Sequence, residues 1–195
     1  MVARLIAETV HTFHASMLLL SFRWSAVGLF SRDTGGAIRS FALAGLLLPL
    51  EIVATLLAPS SFGSGVALNP FTVLVELIRY SIEWTAFAVA LFYVCQMIDR
   101  DKEWTAAISV LNWTKPAQLV LITLVLALGA VGIIPSAYVE ETLIITFLYL
   151  IMFNGMVLYH TLRIDTWMAV GLTGLWFFLQ MLNGQFALAV MRAVS

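Results

Sequence analysis

The feature that most constrains this chain is a series of five long apolar segments separated by short polar joints. The segments cover about residues 37–59, 71–98, 104–134, 142–162 and 167–190. A helix needs about 20 apolar residues to cross the hydrocarbon core of a bilayer. Each segment reaches that length, so the sequence predicts an all-α membrane protein in which residues 37–195 form a five-helix transmembrane bundle.

Composition supports a membrane protein and narrows the classes of partner. The chain is 62% hydrophobic and 11% charged, whereas about a quarter of the residues of a soluble domain are charged. The net charge of −1 and the lack of a basic patch argue against a nucleic-acid partner. The single cysteine, Cys95, excludes an internal disulfide and a cysteine-rich metal site. We expect contact with membrane lipid, and with a protein partner or a second copy through the spans. No cofactor is predicted, and a bound lipid fits this composition.

Residues 1–36 are predicted to form an interfacial amphipathic helix followed by a loop. Glu8, His11 and His14 interrupt the first apolar stretch, and the uncharged run over 9–22 is too short for a span. The three side chains recur every three residues, which rotates each by about 60° from the last on a helix. One ion would reach two of them more easily than three, and no metal site is predicted.

The third segment allows two interpretations because it contains Lys115 and Pro116. In one, 104–114 is a short interfacial helix, and 117–134, interpreted as an uninterrupted apolar run, is the span. Lys115 then lies at the inner interface, and proline suits the first turn of the following helix. In the other, a single helix is kinked at Pro116, with Asn112 and Lys115 facing inward. The sequence favours the second interpretation slightly.

Basic residues predict the orientation in the membrane, since cytoplasmic loops carry an excess of Lys and Arg. A cytoplasmic N-terminus and a periplasmic C-terminus leave only Arg79 and Arg192 toward the outside. The uncharged loop over 59–70 and an acidic loop with Glu140 and Glu141 are then periplasmic. Eight basic residues lie on the cytoplasmic side: Arg4, Arg23, Arg32, Arg39, Arg100, Lys102, Lys115 and Arg163.

Charged residues inside the first two spans are the strongest candidates for a site. Glu76, Arg79 and Glu83 fall within an arc of about 60° on a helix, and Glu51 lies inside the first span. An ionised side chain at the centre of a transmembrane helix costs about 2.5 to 3.5 kcal/mol. We therefore expect Glu51, Arg79 and Glu83 to form an interhelical cluster. A structural clamp is the leading interpretation; a proton or ion path and solvation at the outer interface, which would suit Glu76 and Arg79, are the alternatives.

Amides form the second group of polar positions within the spans. Asn154, Gln180, Asn183 and Gln185 are interpreted as hydrogen-bonding residues between helices. No HExxH, nucleophile-elbow or P-loop motif occurs in the sequence. The sequence thus predicts no catalytic residue and no enzyme.

Four stretches carry a resemblance to a known family: GGAIRSFALAGLLLPL, IEWTAFAVAL, AAISVLNWTKPAQLVL and LYHTLRIDTWMAVGLTGLWFFLQML. Their order resembles the bacterial Yip1-like family of uncharacterised multi-pass inner-membrane proteins of the alphaproteobacterial type. The matching positions are Arg39-Ser40-Phe41, Glu83-Trp84 and Asn112-Trp113, and Lys115-Pro116 departs from the small apolar residues expected there. The resemblance implies five spans in the inner membrane and implies no reaction.

The sequence as a whole favours a non-catalytic integral membrane protein. We expect an accessory or scaffold subunit of a larger membrane complex, because the joints between spans are too short to form a domain outside the bilayer. The alternative is a small transporter or channel that uses the intramembrane carboxylates.

Overall fold

The computed structural model describes the backbone of residues 2–57 and 69–194 and the side chains of 10–54, 57 and 69–193. No strand occurs within these ranges. The predicted all-α fold class is confirmed: an N-terminal helix and a short 3₁₀ helix precede five long helices. The elements are α1 (Val2–Leu20), the 3₁₀ helix (Trp24–Leu29), α2 (Thr34–Leu57), α3 (Pro70–Met97), α4 (Asp101–Ala130), α5 (Ser136–Leu162) and α6 (Thr166–Val194).

Helices α2 to α6 are each long and apolar enough to cross a membrane. Their mean hydropathy, from 1.3 to 1.9 over the best windows, is what a lipid-embedded surface requires. Large apolar side chains point outward along them, for example Leu46, Val89 and Leu148 at 69%, 54% and 60% exposure. The chain is therefore a multi-pass membrane protein.

Two helix boundaries differ from the spans read from the sequence. α5 begins at Ser136, so the acidic stretch with Glu140 and Glu141, predicted as a loop, forms its first turns. α4 is one helix from Asp101 to Ala130 with Pro116 inside it, which is the single-helix interpretation of the third segment. Most of the loop predicted over 59–70 lies outside the described residues.

Polar caps explain where α2 and α3 begin. Asn69 Oδ1 accepts a hydrogen bond from the Thr72 amide at 2.9 Å, and Thr72 Oγ1 accepts one from the Asn69 amide at 2.9 Å. This capping box satisfies amides that have no partner in the first turn of α3. Proline at the first position of α3, Pro70, adds to it, because proline has no amide hydrogen to leave unpaired.

Asp33 immediately precedes α2 and accepts a hydrogen bond from an amide in the first turn of that helix. Its Oδ1 accepts hydrogen bonds from the Gly36 amide at 2.5 Å and from the Ser31 hydroxyl at 3.0 Å. The bond from the Gly36 amide and then that from Ser31 hold the pKa of the Asp33 carboxyl below its usual value. A Cβ at Gly36 would collide with the Ser31 side chain, so this turn requires glycine.

The bundle is organised around α4. α4 packs extensively against α2 and α5 and also contacts α1 and α3. α6 packs against α3 and α5, whereas α2 and α3 make few direct contacts with each other. α5 and α6 approach closely at Gly155, where a Cβ would lie 2.9 Å from Thr173 Oγ1. The main core joins residues of α1 to α5. Its members include Leu19, Leu47, Trp84, Val110 and Phe153.

The described half of α1 packs into the bundle. Ser16 Oγ donates a hydrogen bond to the Trp113 carbonyl of α4 at 2.9 Å. Tyr149 of α5 donates one to the Leu20 carbonyl at 2.7 Å. Ala15 is completely buried. This half of α1 therefore packs against the bundle, and the position of the helix at the membrane interface stays a prediction.

Candidate functional site

Arg79 is the centre of an ionic cluster that joins α2 and α3. Its Nε lies 2.6 Å from Glu76 Oε2 and its Nη1 lies 3.1 Å from Glu83 Oε2. Its Nη2 lies 3.7 Å from Glu51 Oε1 of α2. The structure thus brings together the three residues predicted as a cluster, and Glu76 makes the shortest of the contacts. Below, "ionic cluster" means these four residues and Lys115.

The cluster faces the protein and not the lipid. Glu76, Arg79 and Glu83 lie within one arc of α3, and Tyr80 and Trp84, on the adjoining face, are buried. Near the cluster, three exposed apolar side chains of this helix point away from that arc: Leu74, Ile78 and Val89. The charged face of α3 is therefore turned toward the bundle, where Arg79 meets Glu51 of α2, which is the orientation that polar groups adopt in membrane proteins.

Helix length places the cluster within the helices, nearer to one end of the bundle than to the other. Arg79 is about 14 Å along α3 from Pro70 and about 27 Å from Met97, at 1.5 Å per residue. Glu51 is about 26 Å from the start of α2 at Thr34 and about 9 Å from its end at Leu57. The carboxylates are thus part of apolar helices and not of the joints, so they depend on the cations beside them.

Lys115 of α4 completes the cluster. Its Nζ lies 3.8 Å from the centroid of the Trp84 ring, a cation–π contact. Its charge also interacts with Glu83 and Glu51. Because α4 continues through Pro116, Lys115 faces inward toward Trp84, as in the single-helix interpretation.

The cluster is unbalanced in charge and incompletely covered. Three carboxylates face two cations, so the formal sum with all groups ionised is −3 + 2 = −1. The exposed fractions of the side chains are 21% for Arg79, 26% for Glu51 and Glu83, and 33% for Glu76. The cluster can therefore hold helices together and could also receive a proton or another positive charge.

Two amides of α6 hold the turn of α3 that carries the charges. Asn183 Nδ2 donates a hydrogen bond to the Arg79 carbonyl at 2.8 Å, and Gln180 Nε2 donates to the Glu83 carbonyl at 3.4 Å. Both amides were predicted to bond between helices. The structure shows that their partners are backbone carbonyls, so the side chain of Arg79 remains available to Glu83 and to Glu51 of α2.

A second amide pair joins α4 to α5. Gln118 Nε2 donates to Asn154 Oδ1 at 3.1 Å, and Asn154 Nδ2 lies 3.4 Å from Gln118 Oε1. Asn112 Nδ2 donates to Ser40 Oγ of α2 at 3.0 Å. None of these hydrogen bonds involves a residue of the ionic cluster. Gln118 corrects the sequence analysis, which treated 117–134 as uninterrupted apolar sequence; its spacing of four residues from Thr114, whose Oγ1 it also contacts, was the missed signal.

The histidines do not form a site in the described part of the chain. His11 and His14 are both exposed, and the side chain of Glu8 lies outside the described residues. Across the residues whose placement is described, no group of three His, Cys, Asp or Glu side chains is arranged to hold a metal ion.

No family model matches the chain, and no curated protein or solved structure gives a match. Membership of the Yip1-like family stays a prediction. Function is therefore inferred from the geometry of the ionic cluster and of the helices around it.

Proposed function

We propose that this protein is a non-catalytic integral membrane protein of the bacterial inner membrane that serves as an accessory or scaffold subunit of a larger membrane complex. The observation that carries the proposal is the contact of Arg79 with three carboxylates from two helices. An arginine paired in this way stabilises a fixed arrangement of α2 and α3. Membership of the Yip1-like family is part of the proposal, since it implies the same location.

The short joints between helices support a role inside the bilayer. Only residues 98–100 separate α3 from α4, 131–135 separate α4 from α5, and 163–165 separate α5 from α6. Such joints have little surface on which a soluble partner can bind. A partner would therefore contact mainly the outer faces of the helices, by packing and hydrogen bonding between spans.

The proposed orientation has a cytoplasmic N-terminus and a periplasmic C-terminus. It is tested by cysteine labelling in a Cys95→Ser background, with Ser136→Cys at the start of α5 and Lys102→Cys at the start of α4. A membrane-impermeant reagent applied from the periplasm should label position 136 and leave position 102 unlabelled. The reverse pattern would invert the topology. Ser61, a second periplasmic position by sequence, lies outside the described residues.

The scaffold role is tested by gentle extraction at native expression levels followed by mass spectrometry of co-migrating proteins. We expect one set of membrane proteins to recur at fixed ratio to this chain. The matched control is the variant Arg79→Met with Glu51→Gln and Glu83→Gln, which removes most of the cluster. If a fixed set never appears with the native chain in its native membrane, the scaffold proposal is wrong.

The charge imbalance and the partial exposure of the cluster favour a second candidate, a small transporter or channel. A conducting path needs water at Glu51 and Glu83, and both retain 26% exposure. The test measures proton and cation flux into liposomes that contain the purified protein. Flux through the native chain that is absent from the triple variant would support this candidate and exclude a purely structural cluster.

A further inference from the structure

Glu51 makes the weakest contact of the three carboxyl groups around Arg79. Its Oε1 lies 3.7 Å from Arg79 Nη2, beyond the range of a hydrogen bond. Arg79 instead donates hydrogen bonds to Glu76 at 2.6 Å and to Glu83 at 3.1 Å. A hydrogen bond from a guanidinium group stabilises the ionised form of a carboxyl group. The geometry therefore favours ionisation of Glu76 and Glu83 over ionisation of Glu51.

The charged groups that act on Glu51 both attract and repel its ionised form. Arg79 and Lys115 attract it, and Glu83 repels it as a like charge. Both cations are shared, because Lys115 also acts on Glu83. The Tyr80 hydroxyl donates its hydrogen bond to a backbone carbonyl of α2 at 2.6 Å, so that hydrogen does not serve a carboxylate. Two cations thus serve three carboxyl groups, and one negative charge is left unbalanced.

The chain that follows Glu51 carries no further cation. The side chains of 55–56 and 58–68 lie outside the described residues, but residues 55–68 contain no Lys, Arg or His. The charge balance at this end of α2 therefore does not depend on where those side chains lie. A carboxyl group in an apolar environment without a full balancing charge takes up a proton, because ionisation there is costly.

We infer that Glu51 is protonated at neutral pH and is the residue through which the ionic cluster responds to pH. A proton on Glu51 changes the formal sum of the cluster from −1 to −2 + 2 = 0. The protonated group still presents an oxygen to Arg79 and gains one O–H donor. Loss of the proton adds a charge beside Glu83, between two helices that make few direct contacts. The inference goes beyond both candidate functions, because a scaffold and a transporter can hold this proton alike.

Infrared difference spectroscopy of the purified chain in lipid nanodiscs tests for the proton. The C=O stretch of a protonated carboxyl group is separate from the bands of carboxylates and shifts in heavy water. At pH 7 we expect this band in the native chain and its loss in Glu51→Gln. The matched control is Glu141→Gln, which removes an exposed carboxyl group of α5 and should leave the band in place. A native spectrum without the band, or a band that Glu51→Gln leaves unchanged, would overturn the inference.

Thermal unfolding at pH 7 tests which carboxyl group holds the proton. Glutamine resembles a protonated glutamate, so Glu51→Gln should stay within about 2 °C of the native melting temperature. Glu83→Gln removes an ionised partner of Arg79 and should lower it by about 3 °C or more. Both native side chains are 26% exposed, so the two variants form a matched pair. A loss for Glu51→Gln that equals or exceeds that for Glu83→Gln, including a failure to fold, would overturn the inference, whatever the co-purification and flux experiments show.

Discussion

Replacing Arg79 by alanine is the sharpest perturbation of the ionic cluster, because one side chain contacts all three carboxylates. The change removes contacts of 2.6, 3.1 and 3.7 Å and leaves three carboxylates facing Lys115. Breaking a buried ion pair by removing one partner costs about 3 to 5 kcal/mol. Since the four side chains are 21% to 33% exposed, we expect the lower end, about 3 kcal/mol.

Thermal unfolding in detergent or in lipid nanodiscs measures this loss. For a chain of this length, 1 kcal/mol shifts the melting temperature by about 2 to 4 °C, so Arg79→Ala should lower it by about 6 to 12 °C. The matched control is Lys102→Ala, which removes an exposed cation from the first turn of α4. Its effect should stay within about 0.5 kcal/mol.

A compensating variant separates lost pairing from general damage. Arg79→Met with Glu51→Gln and Glu83→Gln leaves one carboxylate, Glu76, and one cation, Lys115. Replacing a buried ionic group by neutral residues of similar volume is often neutral or stabilising, so this variant should recover much of the lost melting temperature. A melting temperature that Arg79→Ala leaves unchanged would refute the clamp, as would a triple variant that is no more stable than Arg79→Ala.

Three further predictions concern the packing and the caps. Gln118→Leu should cost about 1 to 3 kcal/mol by leaving the buried Asn154 amide unpaired, and adding Asn154→Leu should restore part of it; equal melting temperatures for the single and double variants would refute the pairing. Gly155→Ala should lower the melting temperature because a Cβ there collides with α6, whereas Gly184→Ala, with nothing within 4 Å, should not; equal effects would show that the close approach is unimportant. Hydrogen bonds lower the pKa of Asp33. Its contribution to stability is therefore present above the unfolded pKa of about 3.9 and is lost as the pH falls through the lower folded pKa. Asp33→Ala should reduce the acid dependence of unfolding, and an unchanged pH profile would contradict this.

The sequence predicted that three of the five residues of the ionic cluster lie together: Glu51, Arg79 and Glu83. A charge inside an apolar segment is conspicuous because it is costly there. The spacing of Arg79 from Glu76 and Glu83, by three and four residues, places all three on one helical face. Glu51 follows because it needs a cation at a similar depth. The prediction therefore used only local geometry and the cost of an unpaired charge.

The position of Lys115 could not be decided in the same way. Its direction depends on whether α4 continues through Pro116, and proline is compatible both with a helix start and with a kinked helix interior. In the structure α4 is continuous, and Lys115 lies over Trp84. The contact joins residues of different helices, so no spacing within the sequence shows it.

Gln118 shows a different limit of the sequence analysis. Asn154 was interpreted as bonding between helices, and it does so. Its partner was overlooked because the surrounding run is apolar enough to pass as a plain span, with Gln118 near its start. Amide pairs in membranes need two residues on different helices, so each Asn or Gln within a predicted span implies a search for another at a similar depth.

The contacts of α6 define which movement the ionic cluster can oppose. Asn183 and Gln180 bond to the backbone carbonyls of Arg79 and Glu83, and these acceptors remain whatever side chains stand at those positions. α3 is therefore held against α6 without the charges. α2 has few contacts with α3, and the Tyr80 hydroxyl adds a polar link between them by donating a hydrogen bond to the Ala44 carbonyl. Neutralising the cluster should thus loosen α2 from α3 and leave the pairing of α3 with α6 intact, because only the first depends on charge.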